Sequence, residues 1–137
     1  MTYRVGQGKG YEHLLISELI LRGHNVSTPA VDMAYDLLCE TPAFDFIKVQ
    51  VKSTSYKNGV SYIANVCYGG GKKLYDNNKV DVIAIYVIPE KLWYFIPNSL
   101  IKTNSIRLNP SNENTKFGGY KNNWKIFQTM KHDGGKQ

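Results

Sequence analysis

One segment near the start of the chain carries apolar residues at helical spacing. From Tyr11 to Arg22, leucine and isoleucine recur so that they leave one broad apolar face, which predicts an α-helix. Gly23 follows the last periodic residue, and glycine adopts the left-handed conformation of a helix C-terminus without strain. The helix is therefore expected to end at Arg22.

The chain between this helix and residue 97 is patterned like strands separated by turns. The predicted strands span residues 25–27, 34–39, 44–53, 60–68, 80–88 and 92–96, with a short helix or turn over 72–78. Within 44–53 apolar and polar residues alternate, so that Ile47, Val49 and Val51 share one face. The nearly continuous apolar run over 80–88 is typical of a central strand covered on both faces. This order of elements predicts an α/β fold with a mixed central β-sheet.

The composition sets the class of protein. A length of 137 residues and a hydrophobic content of 42% fit one globular domain around a single core. No apolar run reaches the roughly 20 residues that cross a bilayer, and the polar start of the chain does not resemble a signal peptide. These features predict an intracellular, cytoplasmic protein with no membrane partner. Cys39 and Cys67 lie in separate apolar runs, so neither a disulfide nor a zinc site is expected.

The distribution of charge indicates where a polyanion would bind. The formal net charge is +6, and from residue 104 onward six basic residues stand against two acidic ones. The single domain is therefore expected to comprise a core over residues 1–103 and a basic C-terminal extension over 104–137. Beyond Leu108 this extension is expected to be a loose arm with an anchored end, docked by Trp124, Ile126, Phe127 and Met130. Lys116, Lys121 and Lys125 are the candidates for contacts with DNA phosphates. The alternative is a solvated tail.

Two ionisable residues and one amide occur within strand-like segments. Asp36 lies in an apolar run, and Gln50 and Lys52 share the polar face of the strand over 44–53. If the strands over 34–39 and 44–53 pair through the intervening turn, the three side chains come together on the sheet. An ionisable side chain that faces the protein interior without a partner destabilises the fold, so such residues often have a function. This set is therefore a candidate active site. The alternative is a structural ion pair between Asp36 and Lys52, with Gln50 at the surface.

These groups suit hydrolysis of a phosphodiester bond. Mg²⁺ prefers hard oxygen ligands, so the Asp36 carboxylate, the Gln50 amide oxygen and the backbone carbonyl of Val51 form a plausible half-shell. Glu12, near the start of the predicted helix, is the candidate for a second carboxylate. Lys52 would orient or deprotonate the attacking water and attract the phosphate.

The same residues carry a family resemblance. The segment from Gly10 to Pro97 resembles the branch of the PD-(D/E)XK nuclease superfamily that contains intron-encoded homing endonucleases. The matching motifs, in order, are Gly10-Tyr11-Glu12, Arg22-Gly23, Tyr35-Asp36-Leu37 and Val49-Gln50-Val51-Lys52. The resemblance implies a restriction-endonuclease-like core, with the mixed sheet flanked by helices. It also implies Mg²⁺-dependent double-strand cleavage, with Glu12, Asp36 and Gln50 around the metal and Lys52 beside the water.

The match departs from the wider superfamily at Gln50, where an acidic residue is usual although some members carry glutamine. The site then has one less negative charge to hold a dication, which lowers the expected metal affinity unless Glu12 contributes. A Holliday-junction resolvase or a repair nuclease on the same fold, and a catalytically silent DNA-binding module, are the competing interpretations.

The expected partners are double-stranded DNA and further copies of the chain. A chain of this size has one active site, so cutting both strands of a duplex requires a homodimer at least, and the resemblance allows a tetramer. The glycine-rich segments around Gly8 and Gly70 are expected to form turns.

Overall fold

The computed structural model describes residues 2–130, with side chains from residue 6 onward. It contains two α-helices, which are α1 (Thr2–Leu21) and α2 (Ile126–Thr129). The strands are β1 (Val26–Ser27), β2 (Leu37–Glu40), β3 (Phe46–Thr54), β4 (Lys57–Asn58), β5 (Ser61–Asn65), β6 (Cys67–Tyr68), β7 (Lys73–Leu74), β8 (Val82–Val87), β9 (Leu92–Pro97) and β10 (Ser105–Leu108).

A five-stranded mixed sheet with the order β1-β2-β3-β8-β9 forms the centre of the molecule. β3 pairs antiparallel with β2 and parallel with β8, and β8 pairs antiparallel with β9. A second sheet has the order β10-β5-β4, and β6 and β7 form a separate two-stranded hairpin. The predicted mixed central sheet is confirmed, and the strand predicted over 92–96 is present as β9.

The central sheet has a hydrophobic core on each face. One core joins Leu15 and Leu19 of α1 and Phe127 of α2 to the apolar face of β3, where the predicted face of Ile47, Val49 and Val51 is buried. The core on the opposite face packs Ile83 and Ile85 of β8 against residues of β5 and β10, which belong to the second sheet. Helices therefore cover one face and the small sheet covers the other. β8 is buried on both sides, as the apolar run over 80–88 predicted.

Helix α1 is longer than predicted and begins at Thr2 within the described residues. Gly6, Gly8 and Gly10 lie inside it, so the prediction of a turn around Gly8 was wrong. Glycine costs only about 1 kcal/mol in a helix interior, and each residue added to an existing helix gains a hydrogen bond. Glu12 is consequently near the middle of the helix and not at its start. The predicted C-terminus is confirmed, because Gly23 has φ +97° and its N–H donates to the carbonyl oxygen of Ile20 at 2.9 Å.

Two other predicted elements differ from the structure. The strand predicted over 34–39 begins only at Leu37, so Asp36 lies in a bend just before it. The segment over 72–78 holds β7 and a turn. Both predicted free thiols, Cys39 and Cys67, are buried and unpaired with each other. Burial raises the pKa of the Cys39 thiol to about 12. Within residues 2–130 no helix is long and apolar enough to span a bilayer.

Residues 104–130 are folded against the rest of the molecule. The prediction of a loose arm beyond Leu108 is therefore wrong for residues 109–130, whereas the predicted apolar anchor near its end is confirmed. β10 pairs with β5, and the backbone N–H of Asn122 donates to the carbonyl oxygen of Trp93 at 2.7 Å on the edge of the central sheet. Phe127 is fully buried in the core, and Arg22 lies 3.8 Å over the ring of Trp124. The free energy gained by packing these aromatic side chains holds the segment in place, although most of its residues are polar.

Candidate active site

Asp36 and Val51 meet where strand β2 begins. The backbone N–H of Asp36 donates to the carbonyl oxygen of Val49 at 2.8 Å, and Oδ2 of Asp36 accepts from the backbone N–H of Val51 at 2.8 Å. Because β2 starts only at Leu37, which pairs with Val49, the N–H of Val51 lies beyond the first residue of that strand. The carboxylate supplies the acceptor that a longer strand would have provided.

Burial dominates the electrostatics of Asp36. Its pKa is raised from 3.8 to about 6, first by desolvation and also by the nearby charge of Glu12, while the hydrogen bond from Val51 and the ammonium groups of Lys9 and Lys52 act in the opposite direction. The bonds that Asp36 makes within the protein do not compensate its negative charge. Such a carboxylate is stabilised by a cation brought next to it.

Glu12 and Asp36 line one cavity of ≈ 340 Å³ between α1 and the loop over residues 28–36. Glu12 is mostly buried, and its Oε1 lies 3.3 Å from Nζ of the exposed Lys9 one helical turn earlier. The predicted second carboxylate is thus on the same side of the sheet end as Asp36. The charge of Glu12 makes Asp36 costlier to ionise, which a dication between them would reverse.

Gln50 and Asp36 line a second cavity of ≈ 540 Å³. Nε2 of Gln50 donates to the carbonyl oxygen of Val51 at 3.4 Å. The amide and the predicted backbone ligand are therefore adjacent. The two cavities share Asp36 and Met33, with Glu12 in one cavity and Gln50 in the other.

Lys52 points along the same face of β3 but is not bonded to Asp36. Its Nζ donates to the carbonyl oxygen of Cys67 at 3.0 Å and lies 5.2 Å from the ring centre of Tyr75. Among residues 2–130 the ion pairs found are Lys9–Glu12 and Lys121–Glu113, so the alternative of a structural Asp36–Lys52 ion pair is wrong. The charge of Lys52 is still felt at Asp36, where it lowers the pKa.

The donor set suits a hard divalent cation. In the described part of the chain, no three residues of the His, Cys, Asp and Glu types cluster as a metal site would require. The oxygens available are two carboxylates, a side-chain amide and a backbone carbonyl, from Glu12, Asp36, Gln50 and Val51. Mg²⁺ keeps several waters and needs few protein ligands, so this set fits it.

Similarity to known proteins identifies the family. A family model described as PD-(D/E)XK endonuclease matches residues 6–127. The chain belongs to the PD-(D/E)XK endonuclease family. The bacterial homing endonuclease I-Ssp6803I superposes on it with a TM-score of 0.71 and 23% identity, over 87% of this chain and 86% of that chain. At that identity the match shows the fold, and no curated protein matches the chain. The resemblance and the restriction-endonuclease-like core predicted from the sequence are confirmed.

This endonuclease has site residues that the sequence did not single out. Tyr68, Tyr75 and Lys79 line the cavity beside Gln50, and the rings of Tyr68 and Tyr75 lie 4.9 Å apart. The carbonyl of Cys67 holds the ammonium of Lys52. A sequence signal existed: two tyrosines flank the glycine-rich turn over 69–71, which is the pattern of a hairpin. Only the fold shows that this hairpin lies beside β3. Members of the family generally use divalent metal ions.

The lysines predicted to contact DNA lie in three different environments of the endonuclease. Nζ of Lys121 bonds to the carbonyl oxygen of Pro110 at 3.0 Å and to Oε2 of Glu113 at 3.1 Å. Nζ of Lys116 lies 5.4 Å from the ring centre of Phe117. Lys125 is exposed just before α2. Lys116 and Lys125 thus present their charge to solvent, whereas Lys121 also connects parts of its own segment.

Proposed function

We propose that this endonuclease hydrolyses phosphodiester bonds of double-stranded DNA with the help of Mg²⁺. One observation carries the proposal. The carboxylate of Asp36 is half-buried just before β2, where it accepts from Val51 at 2.8 Å and has a pKa raised to about 6. A negative charge kept at this cost, beside a second carboxylate and a lysine, fits a cation site more readily than a structural role.

Four residues would hold the cation, and each contributes an oxygen. Asp36 and Glu12 supply the negative charge, and Gln50 and the carbonyl of Val51 supply neutral ligands. When bound, Mg²⁺ lowers the pKa of a water molecule and stabilises the charge that develops on the phosphate. Glu12 would compensate for the glutamine at position 50, because it supplies a second carboxylate in the cavity that Asp36 lines.

Lys52 would orient the attacking water and attract the phosphate. Its ammonium is anchored on the carbonyl oxygen of Cys67 at 3.0 Å, which fixes the long side chain and reduces the entropy lost when substrate binds. The contact with the ring of Tyr75 adds a second constraint. A preorganised ammonium stabilises the phosphate in the transition state without moving.

Cleavage of both strands would require a homo-oligomer. The described chain offers one set of catalytic residues, and a symmetric dimer would present two of them to the two strands. The likeness to a bacterial homing endonuclease supports a similar way of acting on DNA. Sedimentation at working concentration should show at least two chains of 15.5 kDa. A strict monomer that makes double-strand breaks in single encounters would contradict this.

The deciding experiment measures cleavage of supercoiled plasmid DNA with Mg²⁺ and with EDTA. The wild-type protein should cut only with the cation, and Asp36→Asn should not cut. Asp45→Asn is the matched control, because it makes the same chemical change at the turn before β3, outside both cavities. Cleavage by Asp36→Asn at the wild-type rate would refute the site, and cleavage in EDTA would refute the metal dependence. A four-way junction tested beside linear duplex distinguishes a resolvase from the proposed activity.

A further inference from the structure

The hairpin of β6 and β7 stands next to the candidate active site with a basic tip. Cys67 pairs with Leu74, and Tyr68 pairs with Lys73, around a turn of three glycines and Lys72. The side chains of Lys72 and Lys73 are exposed. Gly69 has φ +75°, and a Cβ atom built on Gly69 or Gly70 would meet nothing within 4 Å. The tip therefore has open space around it and lacks bulky side chains.

The base of this hairpin is fixed to β3 and to Asn98, the residue that follows β9. The carbonyl oxygen of Cys67 accepts from Nζ of Lys52 at 3.0 Å. The buried amide of Asn98 donates to the carbonyl oxygen of Tyr75 at 2.9 Å and to Oδ1 of Asn77 at 2.7 Å. Tyr68 and Tyr75 also contact each other through their rings. These contacts set the distance between the tip and the cavity that Asp36 and Gln50 line.

The positive charge beside this cavity lies on the hairpin. The cavity lining itself carries both signs of charge, with Lys79 against Asp36 and Asp76, whereas the exposed hairpin tip carries two lysines and no acidic residue. Neither Lys72 nor Lys73 takes part in the ion pairs found among residues 2–130. Their charges are thus available to an external anion. Lysines that ring a cavity attract polyanions, and the field is focused there.

We propose that the hairpin over residues 67–74 is a DNA-binding element whose Lys72 and Lys73 contact phosphates that flank the scissile bond. This inference rests on the proposed function, because a nuclease substrate must extend past the cavity on both sides. The anchored base positions the tip against the duplex, and the glycines let its backbone approach the DNA. The contacts are to the phosphate backbone, so they add affinity for every sequence alike.

The test compares two double variants that each remove two positive charges from exposed lysines. One is Lys72→Gln with Lys73→Gln. The control is Lys57→Gln with Lys102→Gln, in which both lysines lie outside the two cavities that Asp36 lines. Binding to a mixed-sequence duplex is measured in EDTA at several salt concentrations. The hairpin variant should reduce the slope of log K against log salt by about 1.8, which is 0.9 for each phosphate that is no longer neutralised, and the control should keep the wild-type slope.

An unchanged slope in the hairpin variant, or an equal reduction in both variants, overturns the proposal. Measuring in EDTA separates this result from the proposed function, because binding is scored without cleavage. A wild-type protein that binds through the hairpin but does not cut with Mg²⁺ would refute the endonuclease proposal alone. If the wild-type protein cuts with Mg²⁺ but the hairpin variant keeps the wild-type slope, only the DNA-binding role of the hairpin is refuted.

Discussion

Oδ2 of Asp36 accepts a hydrogen bond from the backbone N–H of Val51 at 2.8 Å, and this one contact both ends the β2–β3 pairing and fixes the carboxylate of the candidate active site. The contact stabilises the charged form of Asp36, yet desolvation outweighs it and the pKa is about 6. The protein around Asp36 thus favours the neutral carboxyl group more than water does. The site therefore reduces the stability of the metal-free protein at neutral pH.

Asp36→Asn should make the metal-free protein more stable at pH 8. The pKa of Asp36 in the folded protein, about 6, is above its ordinary value of 3.8, so its stabilising contribution is complete below pH 3.8 and is lost as the pH rises through 6. Asparagine cannot ionise, and its side-chain oxygen can still accept from Val51. The melting temperature in EDTA should thus be higher for the variant at pH 8 and equal to that of the wild type at about pH 3.5, where the carboxyl group is neutral in the folded protein.

Asp45→Asn provides the comparison for that measurement. It changes a carboxylate to an amide at the turn before β3. The difference in melting temperature between this variant and the wild type should therefore not increase between about pH 3.5 and pH 8 as it does for Asp36→Asn. Adding Mg²⁺ at pH 8 should raise the melting temperature of the wild type and leave that of Asp36→Asn unchanged. An Asp36→Asn protein that melts below the wild type at pH 8 in EDTA would contradict the burial argument.

Lys52→Met should reduce plasmid cleavage by at least about 100-fold, the lower end of the range for a positioned acid–base group. Binding to duplex DNA in EDTA should be nearly unchanged, because many phosphates contribute to it. Lys48→Met is the matched control: Lys48 lies on the same face of β3 and bonds to the carbonyl oxygen of Asn78 at 2.7 Å. Cleavage by Lys52→Met at the rate of Lys48→Met would remove Lys52 from the chemistry.

Gln50→Glu should retain cleavage and bind Mg²⁺ more tightly. The change adds a charged oxygen of the same length beside Asp36, but it removes the donor that bonds to the carbonyl oxygen of Val51 at 3.4 Å. The variant is therefore expected to melt below the wild type in EDTA and to regain stability with Mg²⁺. The Mg²⁺ concentration that gives half-maximal cleavage should fall. If it rises, Gln50 does not contact the cation.

The alternating and continuous apolar runs predicted most of the sheet because side-chain periodicity reflects burial directly. β3 and β8 were located from Ile47, Val49 and Val51 on one face and from the run over 80–88. The juxtaposition of Asp36 with Val51 followed from two paired strands. Helix α1 was predicted too short because its glycines have low helix propensity, which hydrogen bonding within the helix overcame.

Other features depended on tertiary contacts that leave no periodic signal. The hairpin of β6 and β7 has only two residues in each strand, so its role in holding Lys52 through Cys67 was not predictable. The apolar anchor at Trp124 and Phe127 was predicted, but the folding of the segment before it was not, because Asn122 and Trp93 are far apart in sequence and meet through hydrogen bonds. Composition described the segment as polar, and packing against α1 and β9 decided its structure.

Replacing Lys116, Lys121 and Lys125 together by Ala should weaken DNA binding for all sequences alike. The salt dependence should flatten by roughly 0.9 for each phosphate that these lysines no longer neutralise. Lys121 should contribute little to this change in slope, because it already bonds to Pro110 and Glu113 and its charge is partly compensated. The change should be close to that of the double Lys116→Ala, Lys125→Ala variant, which leaves the Lys121–Glu113 pair intact and serves as the comparison. Binding measured at several salt concentrations decides the question. A wild-type slope in both variants would exclude this surface from the DNA interface and leave the hairpin lysines as the basic contacts beside the active site.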